Sequence, residues 1–531
     1  MEKEFDLVIK NGMLIDGTGN PWFKADIGIS QGKIEKIGFI EREAQKIIDA
    51  EKMVVSPGFI DMHNHADYSM FAFPNCENFI MQGVTTGVTG NCGMSVAPTN
   101  SRSLDLLRAP LMAKDDYEWG WRTTFEEYLK KTKEKKISIN LVPLVGHGTI
   151  RAAVKGFDNS KASPEEIEEM KKLLVESMEG GAFGMSTGLY YPPGGYATTE
   201  ELIELGKILK QYRGIYVTHV RQEATMLIES IKEAIRIGEE NDIPVEISHH
   251  KAMCEENWGK VNYSLTLMEE ARKRGVEIGC DVYPYTAGTG DITSILPIWT
   301  MENGIEGLLG RLKSDETREK IKEEMIDNER KGDKSPGFNR ITIAACPYNT
   351  EYEGKYIEEI IKDKNKINKP FEAFFDLILE TKGNASITVF FMHENDVKTV
   401  IAHPLSSIGS DAFATSPAAG GIPNPRTYGT FPRILSKYVR EEKLLTIEEA
   451  VRKMTSLPAS RVRLKDRGLL KVGFWADIVI FDPVKIKDQA TFQEPHQYPI
   501  GIKDVIVNGG FAVENGKLTY DSFGKVLNAN D

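Results

Sequence analysis

Both ends of the chain alternate apolar and polar residues in short runs, at 6–10, 13–16, 25–29 and 33–37 near the start and at 476–482 and 505–510 near the end. Alternation with period two puts the apolar side chains on one face, and the Asn11-Gly12 turn between the first two runs predicts a small antiparallel sheet. Such ends around a different middle predict one small β domain built from both termini, residues 1–56 with 465–531.

Between them, short apolar strands recur at 59–63, 86–91, 139–145, 182–186, 215–219, 245–249, 277–282 and 408–411, separated by helical stretches. Eight such units predict an α/β architecture, a (β/α)8 TIM barrel over 57–464. The stretch 298–391 interrupts the repeat with charged helices such as 314–331 and reads as an insertion between the seventh and eighth units, covering the site.

Composition narrows the function classes. With 531 residues, 41% of them hydrophobic, the chain can fill a large core and a smaller one. Its 66 Lys plus Arg stand against 78 Asp plus Glu, a net charge of −12. Nucleic acid is therefore excluded as a partner, whereas a small anionic substrate is still accommodated by one or two local cations. No apolar stretch approaches the roughly 20 residues needed to span a bilayer, and the first residues carry no charged-then-apolar leader. Five scattered cysteines argue for a reducing compartment, so a cytoplasmic location without a membrane partner is expected.

The candidate chemistry lies at strand ends. His63 and His65 follow the apolar run Val54–Ile60, where alternation would project both imidazoles to one side as half of a site for a divalent metal. Cys92 in Val88-Thr89-Gly90-Asn91-Cys92-Gly93, His219 in Val217-Thr218-His219, His249 in Ser248-His249-His250-Lys251 and Asp411 in Gly409-Ser410-Asp411 occupy equivalent places. In a barrel of this kind, C-terminal strand ends share one pocket. Competing with this are a polar turn for the His pair, a small buried hydrophobe for Cys92, hydrogen-bonded core histidines for 219 and 249, and a helix cap for Asp411. His250 should face away from His249 and be structural. His147 and Arg221 are left open between pocket and support.

The motifs PGFIDMHNHAD at 57–67, GNCG at 90–93, STGLYYPPG at 186–194, THVR at 218–221, SHHK at 248–251, DVYPYTAG at 281–288, GSD at 409–411 and NPRTYGTFPR at 424–433 resemble, taken together, those of the N-acyl-D-amino-acid deacylases (D-aminoacylases) of the amidohydrolase superfamily. The resemblance implies a metal-dependent hydrolase barrel with a small β-sandwich domain formed by both termini. It also implies a tight Zn2+ held by Cys92, His219 and His249, and a weaker second position near His63 and His65, with Cys92 shared and Asp411 adjacent. The zinc would polarise an amide carbonyl and acidify water, with Asp411 as base and then acid. Lys251 and Tyr283 match the family's carboxylate-binding positions, Thr289 stands where the family has Ser, Arg426 matches an arginine at the substrate end, and Tyr191 a pocket wall. The expected reaction releases a D-amino acid from its N-acyl derivative.

Two departures bear on specificity: Asp411 is followed by Ala412-Phe413-Ala414 and an extended segment rather than by Gly, and Asn424 stands where a His usually precedes Pro-Arg. A longer loop there is expected to move Arg426 or reshape the pocket. Rival reactions are a dipeptidase acting before a C-terminal D-residue and a cyclic-amide hydrolase of hydantoinase or dihydroorotase type. The latter usually has a metal-bridging lysine on strand four, where this chain reads Phe183-Gly184-Met185-Ser186-Thr187-Gly188. From another class, a non-catalytic scaffold on the same barrel would not need all six ligand and base candidates.

Overall fold

Strands Phe59–Asp61, Val84–Thr89, Asn140–Pro143 with its continuation Val145–Gly146, Gly184–Gly188, Ile215–His219, Val245–Ile247, Ile278–Val282 and Ser406–Ile408 pair in that order, every neighbouring pair parallel. The ring closes where Met62 N–H donates to Ile408 C=O at 3.2 Å. This is the expected (β/α)8 barrel, seen in a computed structural model that describes residues 5–41, 43–103, 123–333 and 337–531. Residues 1–4, on which the reading of a missing leader partly rested, lie outside the described residues.

Local chemistry starts and stops the crossover helices. Pro164–Glu179 opens with Pro in its first turn, Ser163 Oγ accepts from Glu166 N–H at 3.2 Å, and the Glu166 side chain accepts from Ser163 N–H at 2.8 Å. Such a reciprocal cap stabilises a helix start by about 1 kcal/mol. Its buried positions Met170, Leu174, Ser177 and Met178 recur at helical spacing and face the core.

Both termini contribute to one nine-stranded sheet. It is mixed rather than antiparallel: Phe5–Leu14 runs parallel to Ala44–Asp49 and to Val54–Pro57, but antiparallel to Phe23–Ser30. The sheet curls until its edge strand Lys33–Gly38 meets residues 473–476, through Ile34 N–H to Phe474 C=O at 2.9 Å and Gly473 N–H to Ile34 C=O at 2.8 Å. Leu7, Ile9, Ile27, Ile29, Ile478, Ile480 and Ile506 form one core inside it.

Between the seventh and eighth barrel strands, Ala287–Asp291, Ile341–Ala345 and Ser386–Phe390 form a three-stranded antiparallel sheet. It abuts the C-terminal ends of the barrel strands: Cys254 N–H donates to Phe391 C=O at 2.9 Å, and Asn424 Nδ2 donates to Ala287 C=O at 2.9 Å. Among the described residues no helix is long and apolar enough to cross a membrane, and all five cysteines are unpaired and buried.

The nine-stranded sheet is bound to the barrel through Asp477. Its Oδ1 accepts from Asn508 N–H at 2.7 Å, its Oδ2 from Asn140 Nδ2 at 3.1 Å and from Arg467 Nη1, and its carbonyl from Gly58 N–H at 2.8 Å. Arg467 is itself buried. Asp477→Ala would strand that guanidinium, so the variant is expected to lose about 3 kcal/mol or more of stability, seen as a lowered calorimetric transition. An unchanged transition would show that the junction contributes little.

Candidate metal centre and active site

The second barrel strand ends in a tight turn that the neighbouring chain leaves little room for. A Cβ at Gly90, whose φ is +74°, would lie 2.0 Å from Leu144 O, and one at Gly93, φ +72°, would lie 2.4 Å from Gly188 N. The turn is clamped by Ser186 of the fourth strand, whose Oγ accepts from Gly93 N–H at 2.9 Å and donates to Gly90 C=O. Between the glycines Cys92 is held at φ +55°, and His249 and Asp411 also have positive φ, +34° and +50°. Three non-glycine residues in this sparsely populated region meeting at one place indicate a geometry imposed by the surroundings, the usual mark of a functional site.

The six metal and base candidates converge. Cys92 Sγ lies 3.3 Å from His63 Nε2, 3.4 Å from His249 Nε2 and 3.8 Å from His219 Nδ1. His65 Nε2 faces Asp411 Oδ1 at 3.2 Å, and His63 Nε2 faces it at 3.7 Å. The His pair comes together for another reason than strand alternation. The strand ends at Asp61, and the two rings are turned into the site by the following loop, with His65 N–H bound to Ala412 C=O and Asp411 N–H to His63 C=O, at 2.8 and 2.7 Å.

The charges at the site are set by neighbours. Burial opposes ionisation of Cys92, yet His63 and His249 hold its thiol well below the ordinary range. Burial likewise works against a charged His63, but Asp281 and Cys92 raise it well above its usual value. Burial opposes a charged Asp411 as well; Arg426 and then His65 hold it ionised. Thiolate and carboxylate are the forms that ligate a metal. Arg426 Nη1 lies 2.9 Å from Asp411 Oδ2, so the extended loop before it has not carried the arginine out of the site. Asn424, at the usual His position, accepts from Arg426 N–H at 3.1 Å.

Most of the remaining candidates surround this cluster. The guanidinium of Arg426 lies 4.4 Å from the Tyr283 ring centre, and Lys251 Nζ lies 5.8 Å from it. Lys251 is buried against Glu223 Oε1 at 2.6 Å and His249 Nδ1 at 2.7 Å. Tyr191 OH donates to Cys92 C=O at 3.0 Å. Thr289 has a buried hydroxyl without a hydrogen bond, but on its strand it is Gly288 whose side faces Tyr283 OH, so Thr289 points to the opposite face and is not brought to the cluster. His250 turns away, its Nε2 2.8 Å from Ser264 Oγ, and burial pushes it down to about 3. His147 pairs with Glu201 at 2.9 Å, and Arg221 binds Glu233 through Nε and Nη2.

Three carboxylates at the site were not singled out from sequence. Asp281 lies 3.4 Å from His63 Nδ1 and accepts from His249 N–H at 2.8 Å. Asp61 accepts from Ser410 N–H at 2.8 Å and from its hydroxyl at 2.5 Å. Glu223 reaches three residues of the cluster. Asp61 and Asp281 stand in quoted motifs, PGFID and DVYPYT, and Glu223 follows His219 by four; nothing local marks any of them as facing the pocket.

The donor set fits a tetrahedral zinc. Typical Zn–S and Zn–N bonds of about 2.3 and 2.05 Å span an S···N edge of about 3.6 Å. The three Cys92 separations bracket that value. Two further groupings, His63 with His65 and Cys92, and His63 with His249 and Asp411, have donor atoms within 4.8 Å of one another.

Residues 46–300 and 371–513 match the Amidohydrolase family. The chain is 36% identical to a D-aminoacylase of Alcaligenes xylosoxydans xylosoxydans over 98% of its own length and 97% of the relative's. It is 34% identical to an N-acyl-D-aspartate deacylase (99% and 95%) and 33% identical to an N-acyl-D-glutamate deacylase (96% and 94%), both of the same organism. Among solved structures it superposes with a TM-score of 0.83 on an N-acyl-D-glutamate deacylase from Bordetella bronchiseptica, complexed with zinc and a phosphonate mimic of the tetrahedral intermediate, at 31% identity over 99% of this chain and all of that one. A D-aminoacylase studied for its binuclear metal centre gives 0.82 at 34% identity, with the same coverage. An L-hydantoinase from Arthrobacter aurescens, 16% identical with a TM-score of 0.58 over 99% and 100% of the two chains, shares the fold. Full-length likeness together with a barrel that gathers one thiol, four imidazoles and a carboxylate at its C-terminal rim makes this chain a member of the amidohydrolase family.

Proposed function

We propose that the protein is a zinc-dependent hydrolase that cleaves the amide bond of N-acyl-D-amino acids, giving a carboxylate and the free D-amino acid. The observation that carries the reading is the meeting of Cys92, His219 and His249, with Asp411 beside His65 and His63 at 3.2 and 3.7 Å. Two imidazoles and one thiolate would hold the metal and leave a position open, with His63 and His65 at a second, weaker position. When bound, zinc supplies Lewis acidity that polarises a carbonyl and eases deprotonation of water. The likeness to three deacylases adds the substrate class: their amino-acid side chains differ, and the N-acyl-D-amino acid is what they share.

In this reading Asp411 accepts a proton from the attacking water and passes it to the departing nitrogen, one group serving as base and then acid. His65 and Arg426 orient it by taking one oxygen each. Lys251, Arg426 and Tyr283 receive the α-carboxylate, with Thr289 retained only as the family's hydroxyl position. Arg426 then has two anionic claimants, so substrate binding loosens its hold on Asp411 and makes that carboxylate a better base. Tyr191, tied to the Cys92 carbonyl, walls the pocket. The five cysteines, few and odd in number, fit a cytoplasmic setting.

Two outcomes are expected. N-acetyl and N-formyl amino acids in the D series are hydrolysed by zinc-loaded protein and those in the L series are not, in a chromatographic assay run beside metal analysis; equal rates on the two series would refute the stereochemical assignment. Asp411→Asn keeps its zinc but loses about 10²–10⁴ in kcat, the usual contribution of a positioned acid–base group, and a variant of full activity would remove Asp411 from the mechanism.

A further inference from the structure

Glu223, in the loop after the fifth barrel strand, is buried at 3% exposure. Its oxygens face two different rings of the metal set. Oε1 lies 3.2 Å from His249 Nδ1, and Oε2 lies 3.5 Å from His219 Nε2, a buried ring nitrogen that has no hydrogen-bond partner and for which this oxygen is the carboxylate within reach. In each ring this is the nitrogen turned away from the sulfur: Cys92 Sγ faces Nε2 of His249 and Nδ1 of His219. The backbone of Glu223 is anchored as well: its C=O accepts from Met253 N–H at 2.7 Å, which joins the loops after strands five and six.

A neutral imidazole has one N–H and one lone pair, and a carboxylate that accepts at one nitrogen leaves the lone pair on the other. The two rings use opposite nitrogens toward the sulfur, so no common tautomer serves both, yet one carboxylate lying between them specifies the right one in each. Lys251 sharpens the requirement. Its ammonium is 2.7 Å from His249 Nδ1, and with no acceptor between them it would donate into that nitrogen and leave the ring proton on Nε2, where the metal lone pair is needed.

Resting on the zinc-hydrolase reading, we propose that Glu223 is the positioning residue of the tight metal site: by accepting from His219 Nε2–H and His249 Nδ1–H, and by taking the ammonium of Lys251, it turns both ring lone pairs toward the Cys92 side. In this role the carboxylate acts through the two imidazoles and not on the substrate itself. Glu223→Gln keeps one acceptor oxygen and places an NH2 where the second stood, so only one of the two rings retains its partner.

The test uses full-length zinc-loaded protein and follows zinc transfer to a chelator and the visible bands of the cobalt-substituted form. Glu223→Gln is expected to release zinc about 10- to 100-fold faster, the usual cost of losing a hydrogen-bond partner of a metal-bound histidine, and to shift the cobalt d–d bands. Because the single variant leaves Lys251 buried without a counter-ion, the deciding comparison is Lys251→Met against Glu223→Gln/Lys251→Met, where that charge is gone. Release that stays about tenfold or more faster in the double variant supports the proposal, and equal release with unshifted cobalt bands overturns it. If wild-type protein fails to cleave any N-acyl-D-amino acid while Glu223→Gln still loses zinc faster, the positioning role stands and the activity falls; an active deacylase with unchanged release has the opposite meaning.

Discussion

One buried thiol within 3.8 Å of three imidazole nitrogens organises this protein. Such crowding of donors is unfavourable in an apolar interior unless opposite charge is brought to it. The surroundings are arranged around that requirement: glycines at 90 and 93 let the Cys92 turn press against the third and fourth strands, Ser186 clamps it, and Tyr191 holds its carbonyl. A divalent cation would supply that charge, and the separations of Cys92 Sγ from His249 and His219, 3.4 and 3.8 Å, lie on either side of a zinc tetrahedron's edge.

The same economy governs the charged groups around it. Lys251 and Arg426, the cations suited to a substrate carboxylate, are already neutralised within the protein by Glu223 and Asp411. An unpaired buried ammonium or guanidinium costs several kcal/mol. Each cation is therefore held on an internal carboxylate, and under the proposed function an incoming α-carboxylate would have to compete for it. In the proposed reaction that competition would link recognition of the substrate's acid group to the state of Asp411.

Support for the site comes from two directions. From below, Asp61 and Asp281 tie the first, sixth, seventh and eighth strand ends together through Ser410, His63 and His249. From above, the three-stranded sheet inserted between strands seven and eight places Ala287 and Phe391 against Asn424 and Cys254. A rim built from loops that belong to different barrel units is fixed only when all of them are hydrogen-bonded to one another.

Sequence alone determined the barrel, the contribution of both termini to one sheet, and the metal and base candidates Cys92, His219, His249, His63, His65 and Asp411. Strand and helix periods and side-chain chemistry are properties of local sequence, and the barrel rule converts strand ends into a common pocket. What it misjudged was how neighbours meet: the terminal sheet is mixed because Phe5–Leu14 takes parallel partners, and His63 and His65 converge through a loop held by Ala412 and Asp411. Glu223, Asp61, Asp281 and Asp477 were invisible as functional or structural pivots, since an acidic residue in a polar loop looks the same whether it meets water or a buried cation. Only the tertiary structure decided which carboxylate reaches which partner, because that choice depends on contacts between residues as far apart as Asp61 and Ser410, and burial, not composition, is what makes those contacts strong.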